Sequence, residues 1–292
     1  MTDARDAAIG GIAAARPLPS YASHRFACGI RETIIRRSFE AREGHIGSCL
    51  SVADILAVLY ASVVRGTEPR DPERDRVVLS KGHAALALYG ALHERGWLPE
   101  DLLDGFGSDG TLLGTHPERA LPGVDFSTGS LGHGLSYAAG AALAARMAHS
   151  PRRVFVLLSD AECNEGSVWE AAMFAAHHAL ANLTGIIDAN GQQALGQTSE
   201  ILQLEPLLGR WNAFGWEAIE FNGHDHGQIT RFLLEPPSGM RPRIGIARTI
   251  SGKGVSFMEG KIDWHYRSMS VSEYQDALAE VLSSCAEPSS GN

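Results

Sequence analysis

The segment LLSDAECNEG (157–166) places an aspartate, Asp160, between an apolar run and a group of polar residues. A short apolar run bounded by polar residues is typical of a buried strand, and ligands of open α/β folds bind at the carboxyl ends of such strands. A second apolar run, TGIID (184–188), is followed by Asn190, thirty positions after Asp160. The sequence therefore supplies a carboxylate and an amide just beyond the ends of two successive strands.

An acid and an amide in this arrangement can form a cation site. The two strands and the helix predicted between them form one βαβ unit, whose right-handed crossover brings the carboxyl ends of both strands to one edge of the sheet. A carboxylate, an amide oxygen and a nearby backbone carbonyl suit Mg²⁺ or Ca²⁺, and Mg²⁺ usually shares its shell with water and with phosphates of a ligand. From these residues alone, a loop acid and a turn amide explain Asp160 and Asn190 equally well.

The elements that position these residues are predicted from apolar spacing and cap signals. Helices are predicted at roughly 25–43, 51–64, 83–95, 133–148, 167–180, 226–234 and 272–285. Strands are predicted at 76–80, 153–159, 184–188, 216–221 and 243–248. Buried strands alternating with helices indicate an α/β fold with a doubly wound parallel sheet flanked by helices. We predict one domain over 25–286, a flexible N-terminal extension at 1–24 and a disordered tail at 287–292.

The composition excludes several classes of protein. The chain has 292 residues, 44% of them hydrophobic and 20% charged, which is typical of a soluble globular enzyme. Its net charge of −9 disfavours nucleic acid or an anionic membrane as a partner. The sequence contains no stretch of eighteen apolar residues, the length needed to span a bilayer. The four cysteines lack CxxC spacing, so we expect neither a zinc site nor a disulfide framework, and we predict a reduced, cytoplasmic location.

Three further stretches resemble, in order and spacing, the thiamine-diphosphate-binding half (the PP domain) of transketolases. They are EGHIGSCLSVADILAVLY (43–60), RVVLSKGHAALALYGALHERGWL (76–98) and GTHPERALPGVDFSTGSLGHGLSYAAGAALAAR (114–146). The resemblance continues through 159–196, 211–226 and 247–266, so that it covers about 25–285. It implies thiamine diphosphate and Mg²⁺ as cofactors.

The resemblance also assigns a role to the acid and the amide. In transketolases the aspartate of a Gly-Asp-Gly motif and an asparagine about thirty residues later hold Mg²⁺ beside the cofactor's diphosphate. Asp160 and Asn190 match these positions, and the backbone carbonyl of Gln192 matches the third protein ligand.

The chain departs from the family pattern around the aspartate, because Ser159 and Ala161 replace the two glycines. If position 161 needs a positive φ, alanine is strained there by roughly 1 kcal/mol or more and cofactor binding is weakened. If φ is negative, the Ala161 NH can still point at the diphosphate. Gly107 is another departure, since relatives often carry arginine there, and it puts the usual preference for sugar phosphates in doubt.

Four histidines match family motifs and are predicted to be catalytic: His45, His83, His116 and His265. Their equivalents line the channel to the thiazolium ring and contact the diphosphate or the sugar's oxygen atoms, work that suits an imidazole because it titrates near neutral pH. His83 begins a predicted helix, whose positive end should favour a neutral imidazole. The predicted cofactor-binding residues are His83, Gly129, Ser130, Leu131, Asp160, Ala161, Glu165, Asn190 and His265. The GHDHG motif (223–227) looks like a metal site, but a structural turn capped by Asp225 is the better interpretation.

The resemblance implies a second polypeptide. In transketolases, the glutamate that activates the cofactor lies on a pyrimidine-binding domain C-terminal to this one. We therefore predict one subunit of a split transketolase, active with a separate pyrimidine-binding subunit in an α2β2 assembly, that transfers a two-carbon ketol unit from a ketose donor to an aldehyde acceptor. The alternatives are a subunit of a 2-oxoacid-decarboxylating enzyme and a non-catalytic cofactor-binding or regulatory subunit. A nicotinamide-binding protein is disfavoured because no GxGxxG follows an early strand.

Overall fold

The structure, a computed structural model, describes residues 20–285. The predicted tail at 287–292 and all but the last five residues of the predicted extension at 1–24 lie outside this range. Those five residues, 20–24, belong to the first helix rather than to an extension. Within the described range, no helix has both the length and the hydropathy needed to cross a membrane.

A five-stranded parallel sheet forms the centre of the fold. Its strands are β1 (Arg76–Leu79), β2 (Val154–Ser159), β3 (Leu183–Ala189), β6 (Glu217–Asn222) and β7 (Arg243–Arg248), in the spatial order β1-β2-β3-β7-β6. The hairpin of β4 (Gln192–Gln193) and β5 (Gly196–Gln197) follows β3. Every residue of β2 is buried, as a central parallel strand requires, whereas five of the six residues of the edge strand β6 are half-buried or exposed. The predicted α/β class is confirmed.

Helices cover both faces of this sheet. They are α1 (Ser20–Ala41), α2 (Ile46–Ser51), α3 (Ala53–Val58), α4 (Ala85–Glu94), α5 (Glu100–Leu103), α6 (His133–Met147), α7 (Gly166–His177), α8 (Thr198–Ile201), α9 (Leu207–Ala213), α10 (His226–Leu234) and α11 (Val271–Cys285). One core lies between the sheet and α1 to α4, α10 and α11, and the other between the sheet and α6, α7 and α9. The carboxyl ends of the strands therefore emerge between two fixed layers.

The predicted helix at 51–64 is wrong in its extent. The chain is already helical from Ile46, and it then forms α2, α3 and a π-helical turn at Leu59–Val63. His45 adopts φ 59°, which changes the direction of the chain just before α2. The break between α2 and α3 falls at Val52, with φ −103° and ψ 0°.

The expectation that the cysteines form no disulfide is also wrong. Cys28 in α1 is bonded to Cys285 at the end of α11, with the two Cα atoms 5.8 Å apart and a sequence separation of 257. The contact arises because α11 packs along α1, which short-range cysteine spacing cannot reveal. Cys49 and Cys163 are free and buried.

Candidate functional site

The predicted acid and amide meet at the carboxyl edge of the sheet. Ser159 pairs with Asp188 in the register of β2 and β3, so the segments that follow them run side by side. The backbone NH of Gly191 donates to Asp160 Oδ2 at 2.7 Å, and the NH of Asp160 donates to the carbonyl of Asp188 at 3.2 Å. The βαβ argument from sequence therefore placed these two loops correctly.

Asp160 is a buried carboxylate at this edge of the sheet. Only 3% of the residue is exposed. Burial, followed by repulsion from Asp188, raises the pKa of Asp160 from 3.8 to about 7, although NH groups of Gly191 and Ala161 bond to it. A divalent ion at this position would offset both effects, so the carboxylate fits a metal site.

The amide of Asn190 is held in place by its neighbours. Its Nδ2 donates to Asp188 Oδ2 at 3.0 Å, and its Oδ1 accepts from the NH of Gln192 at 3.0 Å. The Gln192 side chain donates to the carbonyl of Gly260 at 2.7 Å. Over residues 20–285 no cluster of three or more His, Cys, Asp or Glu residues could hold a metal ion. An ion here would therefore depend on Asp160, an amide oxygen, a backbone carbonyl and oxygens of a bound ligand.

A buried ion pair that sequence reasoning missed lies beneath these loops. Lys81 Nζ lies 2.5 Å from Asp188 Oδ2 and donates to the carbonyl of Ser48 at 3.2 Å. Asp188 also accepts from the hydroxyls of Ser51 and Thr249. Lys81 and Asp188 both follow or end a predicted strand, at the edge where Asp160 lies, and this signal was present in the sequence.

Three of the four predicted histidines form a cluster. The ring centroids lie 5.4 Å apart for His45 and His83, 5.2 Å for His45 and His265, and 5.5 Å for His83 and His265. The NH of His45 donates to the carbonyl of His265 at 3.1 Å, and Ser48 Oγ lies 3.4 Å from His265 Nδ1. Segments that are far apart in sequence thus converge on one group of imidazoles.

The surroundings keep these imidazoles neutral near pH 7. Burial is the largest cause that lowers each pKa, to about 4 for His265 and well below the usual value for His83. The pKa of His45 is lowered by burial, by His116 and by the Lys81 charge. His83 lies in a 3-10 turn just before α4, and burial is the largest cause of its lowered pKa. Neutral imidazoles can both donate to and accept from a ligand's hydroxyl or carbonyl groups.

The fourth histidine, His116, lies on the loop between α5 and α6 and is exposed. A Cβ added to Gly129 would lie 3.1 Å from His116 Cδ2, so the glycine lets the backbone approach the ring. The predicted cofactor residues of this loop are Gly129, Ser130 and Leu131, of which the first two are exposed and the third is half-buried. Glu165 is exposed at the start of α7, where a Cβ on Gly132 would lie 2.8 Å from the Cβ of Glu165.

The departures from the family pattern are accommodated by the backbone. Ala161 begins a 3-10 turn and is absent from the positive-φ non-glycine residues of the described chain. The condition for strain is therefore not met; its NH donates to Asp160 Oδ1 at 2.7 Å. Gly107 has φ 73°, and a Cβ there would lie 2.8 Å from the Cβ of Ala41. An arginine at position 107 would be strained in this loop.

The GHDHG motif is structural, as interpreted from sequence. Asp225 is the N-cap of α10, and its side chain accepts from the NH of Gln228 at 3.0 Å. His224 Nδ1 and His226 Nε2 lie 2.8 and 3.0 Å from the carboxylate oxygens of Asp54. These histidines thus join the start of α10 to α3.

Similarity to known proteins agrees with this geometry. Residues 24–280 match the family described as "Transketolase, thiamine diphosphate binding domain". The chain is 39% identical over 254 residues to an apulose-4-phosphate transketolase subunit of Phocaeicola vulgatus, covering 86% of this chain and 90% of that protein. It is 40% identical over 256 residues to a 6-deoxy-6-sulfo-D-fructose transketolase subunit of a Clostridium species, covering 86% and 93%.

Solved structures show the same relationship. The transketolase from Leishmania mexicana superposes with a TM-score of 0.83 at 30% identity, covering 89% of this chain and 41% of that one. The transketolase from Campylobacter jejuni gives a TM-score of 0.81 at 29% identity, covering 90% and 42%. The chain thus spans about two-fifths of the length of these solved proteins. On the sequence match and the fold together, the chain belongs to the transketolase family, as its thiamine-diphosphate-binding domain.

Proposed function

We propose that this chain is the cofactor-binding subunit of a two-subunit transketolase, which transfers a two-carbon ketol unit from a ketose to an aldehyde acceptor. The observation that carries the proposal is the near full-length match to relatives named as transketolase subunits, with 90% and 93% of each relative covered. The histidine cluster at the carboxyl edge of the sheet supports a catalytic rather than a regulatory role.

We propose that thiamine diphosphate binds at this edge together with Mg²⁺. Asp160, Asn190 and the carbonyl of Gln192 would hold the ion, and the raised pKa of the buried Asp160 carboxyl fits a divalent cation. When bound, the cofactor would supply the electron sink for cleaving the ketose between carbons 2 and 3. The neutral imidazoles of His45, His83 and His265 would orient the hydroxyl and carbonyl oxygens of the substrate. His116 would approach the substrate from the loop between α5 and α6.

The proposed partner is a pyrimidine-binding subunit that supplies the activating glutamate, in an α2β2 assembly. An apolar surface on α6 and α7 supports this, because Phe174 and Met173 are exposed there. A cleft of about 300 Å³ between these helices is lined by Ser136, Ala139, Gly140, Glu170, Ala171 and Phe174. Small residues allow another helix to pack closely, and exposed apolar clefts commonly mark interfaces.

We propose a cytoplasmic location for this protein, as for a family of metabolic enzymes. The Cys28–Cys285 bond is an observation against this location. Disulfides persist mainly in oxidising compartments. Counting free thiols on protein alkylated inside intact cells decides between the two: a reduced pair supports the cytoplasm, and a bonded pair argues against it.

Isothermal titration of thiamine diphosphate into the chain assembled with its pyrimidine-binding subunit, first with Mg²⁺ and then with excess chelator, tests the cofactor assignment. We expect binding only with the ion, and loss of binding in Asp160→Ala. At a ligand concentration 100-fold above its Kd, binding should add about 2.7 kcal/mol of stability. Equal affinity after chelation would show that binding of the cofactor does not depend on a metal ion.

A further inference from the structure

A buried carboxylate outside the predicted set of site residues, Glu162, contacts three loops of the candidate site at once. Glu162 is 0% exposed. Its Oε1 accepts from the hydroxyl of Ser80 and, at 2.7 Å, from the NH of Gly132. Its Oε2 accepts from the NH of Ser159 at 3.3 Å. One side chain therefore joins the loops after β1, before α6 and after β2.

Each of these contacts is close to a predicted cofactor residue. The pairs are Ser159 next to Asp160, Gly132 next to Leu131, and Ser80 three positions before His83. A carboxylate that holds these three segments, through two backbone NH groups and the Ser80 hydroxyl, also fixes the relative positions of the metal ligand, the 129–131 segment and the histidine cluster. Gly132 has φ 87°, so only a glycine presents its NH to Glu162 here without strain.

Ser159 and Glu162 bond to each other in both directions. The NH of Glu162 donates to Ser159 Oγ at 3.1 Å, and the NH of Ser159 donates to Glu162 Oε2. This reciprocal pair is a capping box of the Ser-x-x-Glu type, placed on the 3-10 turn Ala161–Asn164. A glycine at position 159, as in the Gly-Asp-Gly motif that this segment resembles, has no hydroxyl to make the first bond.

We propose that Glu162 is a positioning residue which, paired with Ser159, fixes the three loops in the arrangement that binds thiamine diphosphate and Mg²⁺. Ser159, which replaces the first glycine of the motif, thereby acts together with Glu162. Its hydroxyl stabilises the turn that carries Asp160. This inference rests on the proposed function and adds residues that contact neither the substrate nor the cofactor themselves.

Asp75 provides a matched control for a purely structural role. It is also 0% exposed and is bonded by Arg65 and Arg153, but it lies just before β1, at the amino edge of the sheet. Replacing either acid removes a buried acceptor and should lower stability. Only the loss of Glu162 should change affinity for the cofactor.

The first experiment measures the Kd for thiamine diphosphate at saturating Mg²⁺ in the full chain assembled with the pyrimidine-binding subunit. We expect Glu162→Ala to weaken binding by about tenfold, because three donors lose their acceptor. Glu162→Gln should restore most of the affinity, since its amide oxygen can still accept from Ser80 and Gly132. Asp75→Asn should stay within about twofold of wild type, even though its unfolding midpoint falls. The proposal would be overturned if the Kd of Glu162→Ala rose less than twofold over wild type, or if Asp75→Asn raised the Kd as much as Glu162→Ala does.

A coupling test addresses the pair itself. If Ser159 and Glu162 act as one unit, Ser159→Gly should weaken binding several-fold in wild type and have almost no further effect in the Glu162→Ala background. Independent, additive losses would show that the serine does not act through Glu162.

Hydrogen exchange of the cofactor-free chain separates failure of this inference from failure of the proposed function. Glu162→Ala should raise exchange in peptides covering 127–134 and 157–164, whereas Asp75→Asn should raise it only near β1. Unchanged exchange in Glu162→Ala would overturn the inference even if the wild type binds the cofactor. A wild type that binds no thiamine diphosphate even when combined with the pyrimidine-binding subunit would reject the proposed function, while the exchange result would still test the network.

Discussion

Replacing Asp160 with asparagine should stabilise the cofactor-free chain at alkaline pH while abolishing binding of the cofactor and its ion. The carboxylate is buried beside Asp188, and its pKa in the folded chain is raised from 3.8 to about 7. The folded chain therefore disfavours the ionised form of this side chain, and a bound cation would favour it. Asparagine keeps the size of the side chain and removes the charge.

The sign follows from the two pKa values. Between pH 3.8 and about 7 the unfolded chain has released a proton that folded Asp160 still holds. Wild-type stability therefore falls as pH rises through this window. The shift corresponds to about 4 kcal/mol above pH 7. In Asp160→Asn one backbone NH, from Ala161 or Gly191, loses its acceptor, which costs about 1–3 kcal/mol at every pH.

Urea unfolding in the presence of a chelator measures the balance. At pH 8.5 the variant should be more stable than wild type by about 1–3 kcal/mol, and at pH 5 it should be equal or slightly less stable. The difference between variant and wild type should therefore change by about 2–3 kcal/mol between the two pH values. The same difference at both would refute the claim that the folded chain raises the pKa of Asp160.

Three further outcomes follow from the geometry. Ala161→Gly should bind thiamine diphosphate no more tightly than wild type, because Ala161 is not in a positive-φ conformation; tighter binding by calorimetry would restore the strain argument. Lys81→Met should cost about 3 kcal/mol in urea unfolding, since it leaves the Asp188 carboxylate buried without its cation; a neutral effect would mean that the ion pair is dispensable. Alkylation of the unreduced, denatured protein should label two of its four cysteines, because Cys28 and Cys285 are bonded; four labelled cysteines would contradict the pairing.

The sheet and its functional edge could be predicted from sequence because central parallel strands are continuous apolar runs. β2 and β3 were recognised this way, and the crossover rule then placed Asp160 beside the loop that carries Asn190. The short helices α5, α8 and α9 were not predicted, since four to seven residues are too few to show helical periodicity.

The buried polar groups of the site were harder to predict. Lys81, Asp188 and Glu162 all lie within loops or at strand ends, where charged residues are usually solvated, and only the tertiary structure shows that they are buried. Glu162 nevertheless left a local signal, because Ser159 and Glu162 form a Ser-x-x-Glu pattern. The Cys28–Cys285 bond left none, since its partners lie at opposite ends of the described chain.

The most direct test of the central claim is two-carbon transfer from a ketose to an aldehyde, measured for the purified chain, for a separately purified pyrimidine-binding subunit, and for the two combined. We expect turnover only for the combination, dependent on thiamine diphosphate and Mg²⁺ and lost in Asp160→Ala. Robust turnover by this chain alone would contradict the two-subunit site. Decarboxylation of a 2-oxoacid by the combination, without ketol transfer, would contradict the assigned reaction.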